Sequence, residues 1–215
     1  MFPPYRLTAL YYVDVVPPRR AGRYANISQH NHNERRGWGF DDPWITRGID
    51  RRRSQIHGRG LFTKSAIPPG ETVMILNGLL FSVAAVRAGK AREDSVTGYC
   101  EGYYIGSPVA RPKSLDEYLN HSCNPNLWLV DALTIVARTY IEPDQELTFD
   151  YSTWEIDEQW NLGAACNCLE AECRKTITGK DWRLASVQDK YGDHILPCLQ
   201  QRTTFEAAGQ MAELI

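Results

Sequence analysis

The 215-residue sequence lacks any apolar run that approaches the roughly 20 residues a helix needs to cross a bilayer, which excludes an integral membrane protein. Its first residues lack the basic-then-apolar order and the small-residue cleavage site of a secretory signal. Internal repeats and the full phosphate-loop patterns are also missing. We therefore expect a soluble intracellular protein, cytoplasmic or nuclear and not secreted, that has no membrane partner.

Lysine is absent from residues 1–60, which contain 11 arginines and 5 acidic residues, whereas residues 61–215 contain 13 basic and 21 acidic residues. An acidic body suits a basic ligand. We interpret residues 1–45 as an irregular Arg-rich arm because they show no sustained periodicity. Solvated arginines explain this arm most simply. Arg35–Arg36 and Arg51–Arg53 would add at most an accessory, weak contact with nucleic-acid phosphates.

The remainder of the chain has the pattern of a mainly β domain. Apolar residues make up 43% and charged residues 23% of the sequence, which excludes global disorder. From Ile56 onward, short segments rich in β-branched and aromatic residues alternate with turn formers. Two short helices are expected: one from Phe81 to Asp94 with Ser82 as N-cap, and one ending at Gly192 as C-cap.

The cysteines indicate a metal site more than a disulfide framework. Cys166, Cys168 and Cys173 fall within eight residues, in the pattern C-x-C-x4-C. In a reducing compartment such a cluster is typical of zinc ligands, and tetrahedral zinc requires a fourth ligand. From the residues alone, the candidates for that ligand are Cys100, Cys123 and Cys198.

Three further segments each admit two interpretations. The loop Asn120–Asn126, N-H-S-C-N-P-N, is either a tight turn or a set of donors and acceptors for a polar ligand. The turn Gly58–Gly60 is either a β-turn or a place where the backbone approaches a ligand closely. The segment Glu146–Tyr151, E-L-T-F-D-Y, is either a core strand or an aromatic wall for a ligand with an alkyl stem and a polar tip.

Taken in order, G-x-G, N-H-S-C-x-P-N, E-L-T-F-D-Y and C-x-C-x4-C resemble the SET-domain protein-lysine methyltransferases, over roughly residues 45–200. The resemblance implies a mainly β fold, the β-clip SET fold, in which the NHSC and FDY segments form a pseudoknot. It implies a SET domain over 46–153 with an insert at about 82–118, a post-SET zinc-binding tail over 154–200 and a C-terminal extension over 201–215. Because no cysteine-rich pre-SET module precedes the domain, we expect a minimal SET protein.

The same resemblance implies methyl transfer from S-adenosylmethionine to the ε-amine of a lysine in a histone or another protein. Tyr151 would be catalytic, Phe149 would control how many methyl groups fit, and Tyr99 would be a second channel tyrosine. Zinc would be held by Cys123, Cys166, Cys168 and Cys173. The implied cofactor-binding residues are His57, Gly58, Arg59, Gly60, Asn120, His121 and, as a stacking aromatic with Tyr103 as its alternative, Tyr104.

The implied reaction requires a neutral amine, and deprotonating lysine with its pKa near 10.4 costs about 4–5 kcal/mol at pH 7. A dry aromatic channel lowers that pKa. The sequence shows no convincing His/Asp pair near the FDY segment that would act as a general base. The alternative is a non-catalytic SET-like module that binds lysine-rich peptides.

Glu117 departs from the family pattern, because some relatives have an Arg three residues before the motif Asn.

Overall fold

The computed structural model describes residues 15–16, 43–100 and 102–212, so most of the predicted arm, including Arg35–Arg36, lies outside the described residues. The described strands are β1 Val15–Val16, β2 Trp44–Ile45, β3 Ile49–Arg53, β4 Arg59–Thr63, β5 Thr72–Ile75, β6 Leu79–Ser82, β7 Ala91–Cys100, β8 Tyr103–Pro108, β9 Asn120–His121, β10 Leu127–Leu129, β11 Thr134–Ala137 and β12 Glu146–Phe149. The helices are α1 Val83–Arg87, α2 Ala185–Tyr191 and α3 Pro197–Ala212. The prediction of a mainly β protein with short helices is confirmed.

The strands form three four-stranded sheets, in the orders β1-β6-β8-β7, β10-β11-β5-β2 and β3-β4-β12-β9. Every strand pair in them is antiparallel except β9 with β12, which run parallel. The third sheet joins strands from both ends of the domain, because β3 and β4 pair with a strand that begins at Glu146. Distant parts of the chain therefore meet at its β12–β9 edge.

The first predicted helix is shorter than expected. Ser82 is the N-cap, as predicted, and its hydroxyl accepts a hydrogen bond from the Ala85 N–H at 3.1 Å. The helix ends at Arg87, because Gly89 adopts a left-handed φ of 72° and the residues that follow pair with β8 as strand β7. The prediction that the segment after Gly89 is helical was wrong: a long-range strand pairing overrides the local helix pattern.

The second predicted helix is present as α2, and Gly192 follows it as C-cap with a φ of 49°. The helix α3 begins at Pro197 and continues to Ala212, so residue 200, the predicted end of the tail, falls inside it. Among the described residues, no helix is long and apolar enough to cross a membrane.

One hydrophobic core links the sheets to the C-terminal helices. Leu61 of β4, Val73 of β5 and Leu147 of β12 are fully buried, and they share this core with Trp182 and Leu199 from the tail. A smaller cluster is built around the buried cysteines and Ile177. The tail therefore packs as part of the domain and covers the side on which β9 and β12 lie.

Candidate active site

The centre of the site is the parallel pairing of β9 with β12. Asn120 lies opposite Thr148, and His121 lies opposite Phe149. The Ser122 N–H then donates to the Phe149 carbonyl at 3.0 Å, which continues the pairing beyond the strands. The two motif segments singled out in the sequence, which are about 25 residues apart along the chain, are therefore neighbours.

The Asn120 side chain fastens the Gly58–Gly60 turn to this strand pair. Its Nδ2 lies 3.1 Å from the His57 carbonyl, 3.2 Å from the Arg59 carbonyl and 2.8 Å from Oε1 of Glu146. The amide has two hydrogens for three acceptors, so one hydrogen is shared. A single side chain therefore fixes the turn relative to β12.

Gly60 is required by this close approach. A Cβ at this position would lie 1.9 Å from Oε1 of Glu146 and 3.0 Å from Nδ2 of Asn120. Gly58, by contrast, has a φ of 46° and open space where its Cβ would point. The first glycine thus serves the backbone conformation of the turn, and the second serves its contact with Asn120.

His121 lies behind the cavity wall and connects the strand pair to the cysteines. Its Nδ1 accepts a hydrogen bond from the Tyr151 N–H at 3.2 Å, and its Nε2 lies 3.4 Å from Sγ of Cys123. Burial lowers the pKa of His121 to about 4, against the raising effect of the Asp150 charge. With Nδ1 as acceptor, the proton of the neutral imidazole belongs on Nε2, where it points at the sulfur.

Tyr151 begins the 3-10 turn Tyr151–Thr153 directly after the strand pair. Its hydroxyl donates to the Leu119 carbonyl at 2.6 Å, and its ring packs edge-on against His121 at 5.2 Å between centroids. Burial, with smaller effects of the charges of Asp94 and Glu146, raises the pKa of the Tyr151 hydroxyl above its ordinary value. The group therefore stays protonated, and its oxygen can still accept a hydrogen bond.

An aromatic stack packs against the Tyr151 ring. Phe149 is fully buried and stacks on Trp154 at 4.0 Å between centroids, with an interplanar angle of 17°. Trp154 also stacks on Tyr151 at 5.6 Å, and Trp160 meets Tyr151 edge-on at 6.3 Å. The rings form an apolar wall that suits an alkyl chain and excludes water.

Two cavities meet at this wall. The first, which we call the turn cavity, is about 520 Å³ and is lined by His57, Gly58, Arg59, Asn120 and Tyr151 among others. The second, the Tyr104 cavity, is about 400 Å³ and is lined by Tyr104, Val86, Arg87 and Asp157 among others. Four residues line both cavities, namely Val96, Glu155, Trp160 and Asn161.

The structure thus brings together most of the predicted site residues, but not all. His57, Gly58, Arg59 and Asn120 share the turn cavity with Tyr151, and Gly60, His121 and Phe149 lie behind them. Tyr104 lines the second cavity, away from the glycine turn, and its hydroxyl donates to Glu155. Tyr99 lines neither cavity; the β7 residue that lines both is Val96. The roles assigned to Tyr99 and Tyr104 stay predictions, without support from these positions.

Sequence reasoning missed Trp154, Glu155 and Trp160, which follow the FDY segment closely. An aromatic-rich stretch, T-W-E-I-D-E-Q-W, was visible there, but its period matches neither a strand nor a helix. The missing information was the turn at Tyr151–Thr153, which returns the chain to the strand pair.

Glu117, which departs from the family pattern, lines the turn cavity, and its carboxylate pairs with Arg92 at 2.9 Å.

The cysteine cluster forms a site with the chemistry of a zinc centre. Sγ atoms of Cys123, Cys166, Cys168 and Cys173 all lie within 4.8 Å of one another. Tetrahedral zinc with bonds of about 2.3 Å separates its sulfur ligands by about 3.8 Å, so the set fits after a small contraction. Neither Cys100 nor Cys198, the other candidates, belongs to this group.

Arg174 connects the cysteine cluster to the FDY segment. Its guanidinium binds both carboxylate oxygens of Asp150 at 2.7 and 2.8 Å, and its backbone N–H donates to Sγ of Cys123 at 3.4 Å. Tyr191 adds a hydrogen bond to Asp150 at 2.9 Å. Burial alone would raise the pKa of Asp150, but its bonds to Arg174 and the nearby charges hold it below the ordinary value. The tail is thereby fixed against Tyr151.

Comparison with known proteins shows what this part of the chain is similar to. The model of the SET domain family matches residues 58–152. Human histone-lysine N-methyltransferase 2B is 31% identical over 143 residues, covering 58% of this chain and 5% of that protein. Histone-lysine N-methyltransferase ash1 of Drosophila melanogaster is 28% identical over 161 residues, which cover 65% of this chain and 7% of that protein. The chain therefore spans only a small part of the length of these relatives.

Among solved structures, Arabidopsis thaliana SUVH6 in complex with SAM is similar with a TM-score of 0.51, over 61% of this chain and 33% of that chain, at 19% identity. At this identity the likeness shows a shared fold. The family match spans the glycine turn, the β9–β12 pair and Tyr151. Residues 58–152 match the SET-domain model, and the chain is similar to human and Drosophila histone-lysine N-methyltransferases.

Proposed function

We propose that this protein transfers a methyl group from S-adenosylmethionine to the ε-amine of a lysine in a histone or a similar basic protein. The observation that carries the proposal is the position of Tyr151, whose hydroxyl is bonded to the Leu119 carbonyl at the wall of the turn cavity. The family match, the histone-lysine methyltransferase relatives and the SAM bound in the SUVH6 structure support it.

The turn cavity is the proposed place of the methyl donor. S-adenosylmethionine supplies a methyl group activated by a sulfonium. The Gly58–Gly60 turn offers backbone groups at close approach because neither glycine places a side chain in the way. The rings of Tyr118 and Trp160 line the same cavity. The Arg51 guanidinium already lies over the Tyr118 ring at 4.5 Å from its centroid, so Trp160 is the aromatic residue that we propose for contact with an adenine ring or a cation.

The Tyr104 cavity is the proposed place of the substrate lysine. It shares Trp160 with the turn cavity, and Trp160 meets the Tyr151 ring edge-on, so an alkyl chain that passes Trp160 would approach Tyr151. Carboxylates at Glu155 and Asp157 give this cavity an acidic character. The excess of acidic over basic residues in 61–215 also favours a basic protein partner.

The chain contributes to the reaction mainly by positioning. The Tyr151 hydroxyl is already fixed by the Leu119 carbonyl, so its oxygen stands ready to accept a hydrogen bond from the amine. The stack of Phe149, Trp154 and Tyr151 excludes water, which favours the neutral amine over the ammonium. Both effects are built before substrate binds, as electrostatic preorganisation requires.

Zinc is proposed as the structural ion of the cysteine cluster. Four thiolates leave no open coordination position, which is typical of a structural site and not of a catalytic one. Burial raises the pKa of the Cys166 thiol, whereas backbone and cysteine hydrogen bonds lower that of Cys173, so a bound cation would favour the thiolate most at Cys166. Zinc there would tie the loop after β9 to the tail.

The proposal is tested by incubating the full chain with S-adenosylmethionine and an array of histone peptides, with mass spectrometry as the readout. We expect a mass gain of one or more methyl groups on peptides that contain lysine. Matched peptides with arginine in place of each lysine serve as the control and should stay unmodified. Binding of peptides without any mass gain would instead support the non-catalytic module.

A further inference from the structure

Glu155 is a nearly buried carboxylate in the wall shared by the two cavities, 6% exposed. Its Oε1 accepts a hydrogen bond from the Tyr104 hydroxyl and another from the Asp157 N–H at 2.7 Å. Its own N–H donates to the Tyr151 carbonyl at 3.0 Å. Two contacts therefore hold the side chain and one holds the backbone of Glu155, next to the residue that the proposed reaction depends on.

The second carboxylate oxygen of Glu155, Oε2, differs from Oε1 in its contacts. The two hydrogen bonds of good distance and angle that the described residues donate to the Glu155 carboxylate both fall on Oε1, and none falls on Oε2; the Ile156 backbone N–H acts on the carboxylate only as a weaker neighbour that lowers its pKa. Within the described part of the chain, the one sealed side-chain polar atom without a partner is Nε1 of Trp182. Oε2 is therefore not sealed, and the open space beside it is the cavity space that Glu155 lines. A buried carboxylate with one fixed and one open oxygen is suited to take up a proton or a cation.

Building on the proposed function, we propose that Glu155 accepts the proton of the incoming lysine ammonium at Oε2. In this step an N–H bond of the ammonium breaks, an O–H bond forms on the carboxylate, and the electron pair stays on nitrogen. The charges of the ammonium and the carboxylate cancel as the pair becomes a neutral amine and a neutral acid. The freed electron pair is the nucleophile for the methyl carbon.

The surroundings of Glu155 allow it to hold a proton near neutral pH. Burial raises its pKa to about 7, against the lowering effect of the Tyr104 hydrogen bond. A base is most effective when its pKa lies near the working pH. Tyr104 of β8 and Asp157 of its own segment act on this pKa directly. Arg87 of α1 lines the Tyr104 cavity with Glu155. The titratable and charged residues that line the turn cavity with it are His57, Arg59, Asp94, Lys113, Asp116, Glu117 and Tyr151.

Arg87 does not neutralise Glu155, because it is bound to another carboxylate. Its Nη2 donates to both carboxylate oxygens of Asp157 at 2.7 Å, and its Nε donates to Oδ2 of Asp157 at 3.0 Å. The pairing leaves Glu155 as the carboxylate of this wall that a substrate ammonium can engage. The substrate lysine should therefore bind as an ammonium cation and react as a neutral amine within the same cavity.

The test compares methylation rates of the wild-type chain and of Glu155→Gln between about pH 6 and about pH 10. Glutamine retains the acceptor for Tyr104 and Asp157 but cannot take up the proton. We expect the wild-type rate to level off above about pH 8, and the variant to be slower by about ten-fold or more at pH 7. The logarithm of the variant's rate should rise by about one per pH unit up to about pH 9, as the free amine fraction does.

A matched control is Glu158→Gln, a carboxylate three residues further on that binds Arg183 at 2.7 Å and lines neither cavity. It should keep the wild-type pH profile. Equal profiles for wild type and Glu155→Gln would overturn the inference while the proposed function stands. A wild-type chain that methylates no peptide at any pH would overturn both.

Tyr104→Phe provides a second variant, which keeps the test decisive should Glu155→Gln fail to fold. It removes the hydroxyl that lowers the pKa of Glu155. The rising part of the rate profile should therefore move to higher pH. No movement of that part of the profile would contradict proton uptake by Glu155, since a merely structural carboxylate has no reason to set the pH dependence.

Discussion

At the scale of single residues, Gly60 determines whether the glycine turn and the strand pair fit together. In Gly60→Ala the added methyl would meet Glu146 at 1.9 Å and Asn120 at 3.0 Å, so one of these side chains must move. We expect a loss of about 1–3 kcal/mol in the free energy of unfolding. Binding of S-adenosylmethionine should weaken as well, as measured by calorimetry, because the turn loses its hold on Asn120.

Gly70→Ala is the matched control for this prediction. Gly70 has a φ of 82° but open space where a Cβ would lie. Its substitution should cost about 1–2 kcal/mol through backbone strain and leave donor binding unchanged. Equal donor affinity in wild type and Gly60→Ala would show that the close packing behind the turn is not needed for the cavity.

Phe149 offers a second test at this scale. Its side chain is fully buried against Trp154 and carries no hydroxyl that would hold a water or crowd an amine. We expect the wild-type chain to form dimethyl- or trimethyllysine, and Phe149→Tyr to stop at fewer methyl groups because the new hydroxyl takes up space. Mass spectra after exhaustive turnover decide this, and a wild-type product that is only monomethylated would refute it.

Single residues also show what the sequence can and cannot reveal. The spacing of Cys166, Cys168 and Cys173 is tied to metal binding, so these three could be predicted from the residues alone. Asn120, Gly60 and Cys123 stand in motifs that admit two interpretations, and the family resemblance singled them out. Val96 and Glu155 could not, because their importance comes from long-range contacts: Val96 lies on a strand whose register shifts near Gly98, and Glu155 follows a turn of irregular period. Tyr99 lies beside the same irregularity, where counting along the strand fails.

At the scale of elements, the pairing of β9 with β12 depends on the tail that covers it. Arg174 binds Asp150 through both carboxylate oxygens, and Asp150 is 1% exposed. Arg174→Gln would leave this carboxylate charged, buried and uncompensated. We expect a loss of about 3–5 kcal/mol in the free energy of unfolding, measured with denaturant.

Arg52→Gln is the control for that loss. Arg52 binds Asp50 and Asp144 at 2.8 and 2.6 Å, but its side chain is 36% exposed. Exposed pairs contribute about 0–1 kcal/mol, so this variant should be nearly as stable as the wild type. If both variants lose the same small amount, the tail does not support the strand pair in the way described.

The elements themselves were partly predictable. Strands β4, β5, β8, β11 and β12 follow from runs of β-branched and aromatic residues, which fit a pleated, half-buried surface. Strand β3, I-D-R-R-R, has no such pattern, and it forms because its backbone pairs with β4 along five residues. The parallel β9–β12 pair came only from the family resemblance, because two-residue strands carry no periodic signal.

At the scale of the whole molecule, the cysteine cluster joins the loop after β9 to the tail. Removing zinc with a chelator should lower the melting temperature and abolish donor binding together, because Cys123 lies three residues from Asn120. Cys123→Ser should bind less zinc, whereas Cys198→Ser should keep the wild-type zinc content by atomic absorption. A chain that binds donor equally well without metal would contradict this role.

The central claim is that Tyr151, in the turn cavity, orients an amine that enters from the adjoining Tyr104 cavity towards a methyl donor in the turn cavity. The most direct test is the single-turnover methylation rate of Tyr151→Phe, measured beside its affinity for S-adenosylmethionine. We expect the rate to fall by about 100-fold or more, with nearly unchanged donor affinity, since the ring still packs against His121 and Trp154. A rate close to that of the wild type would contradict the account.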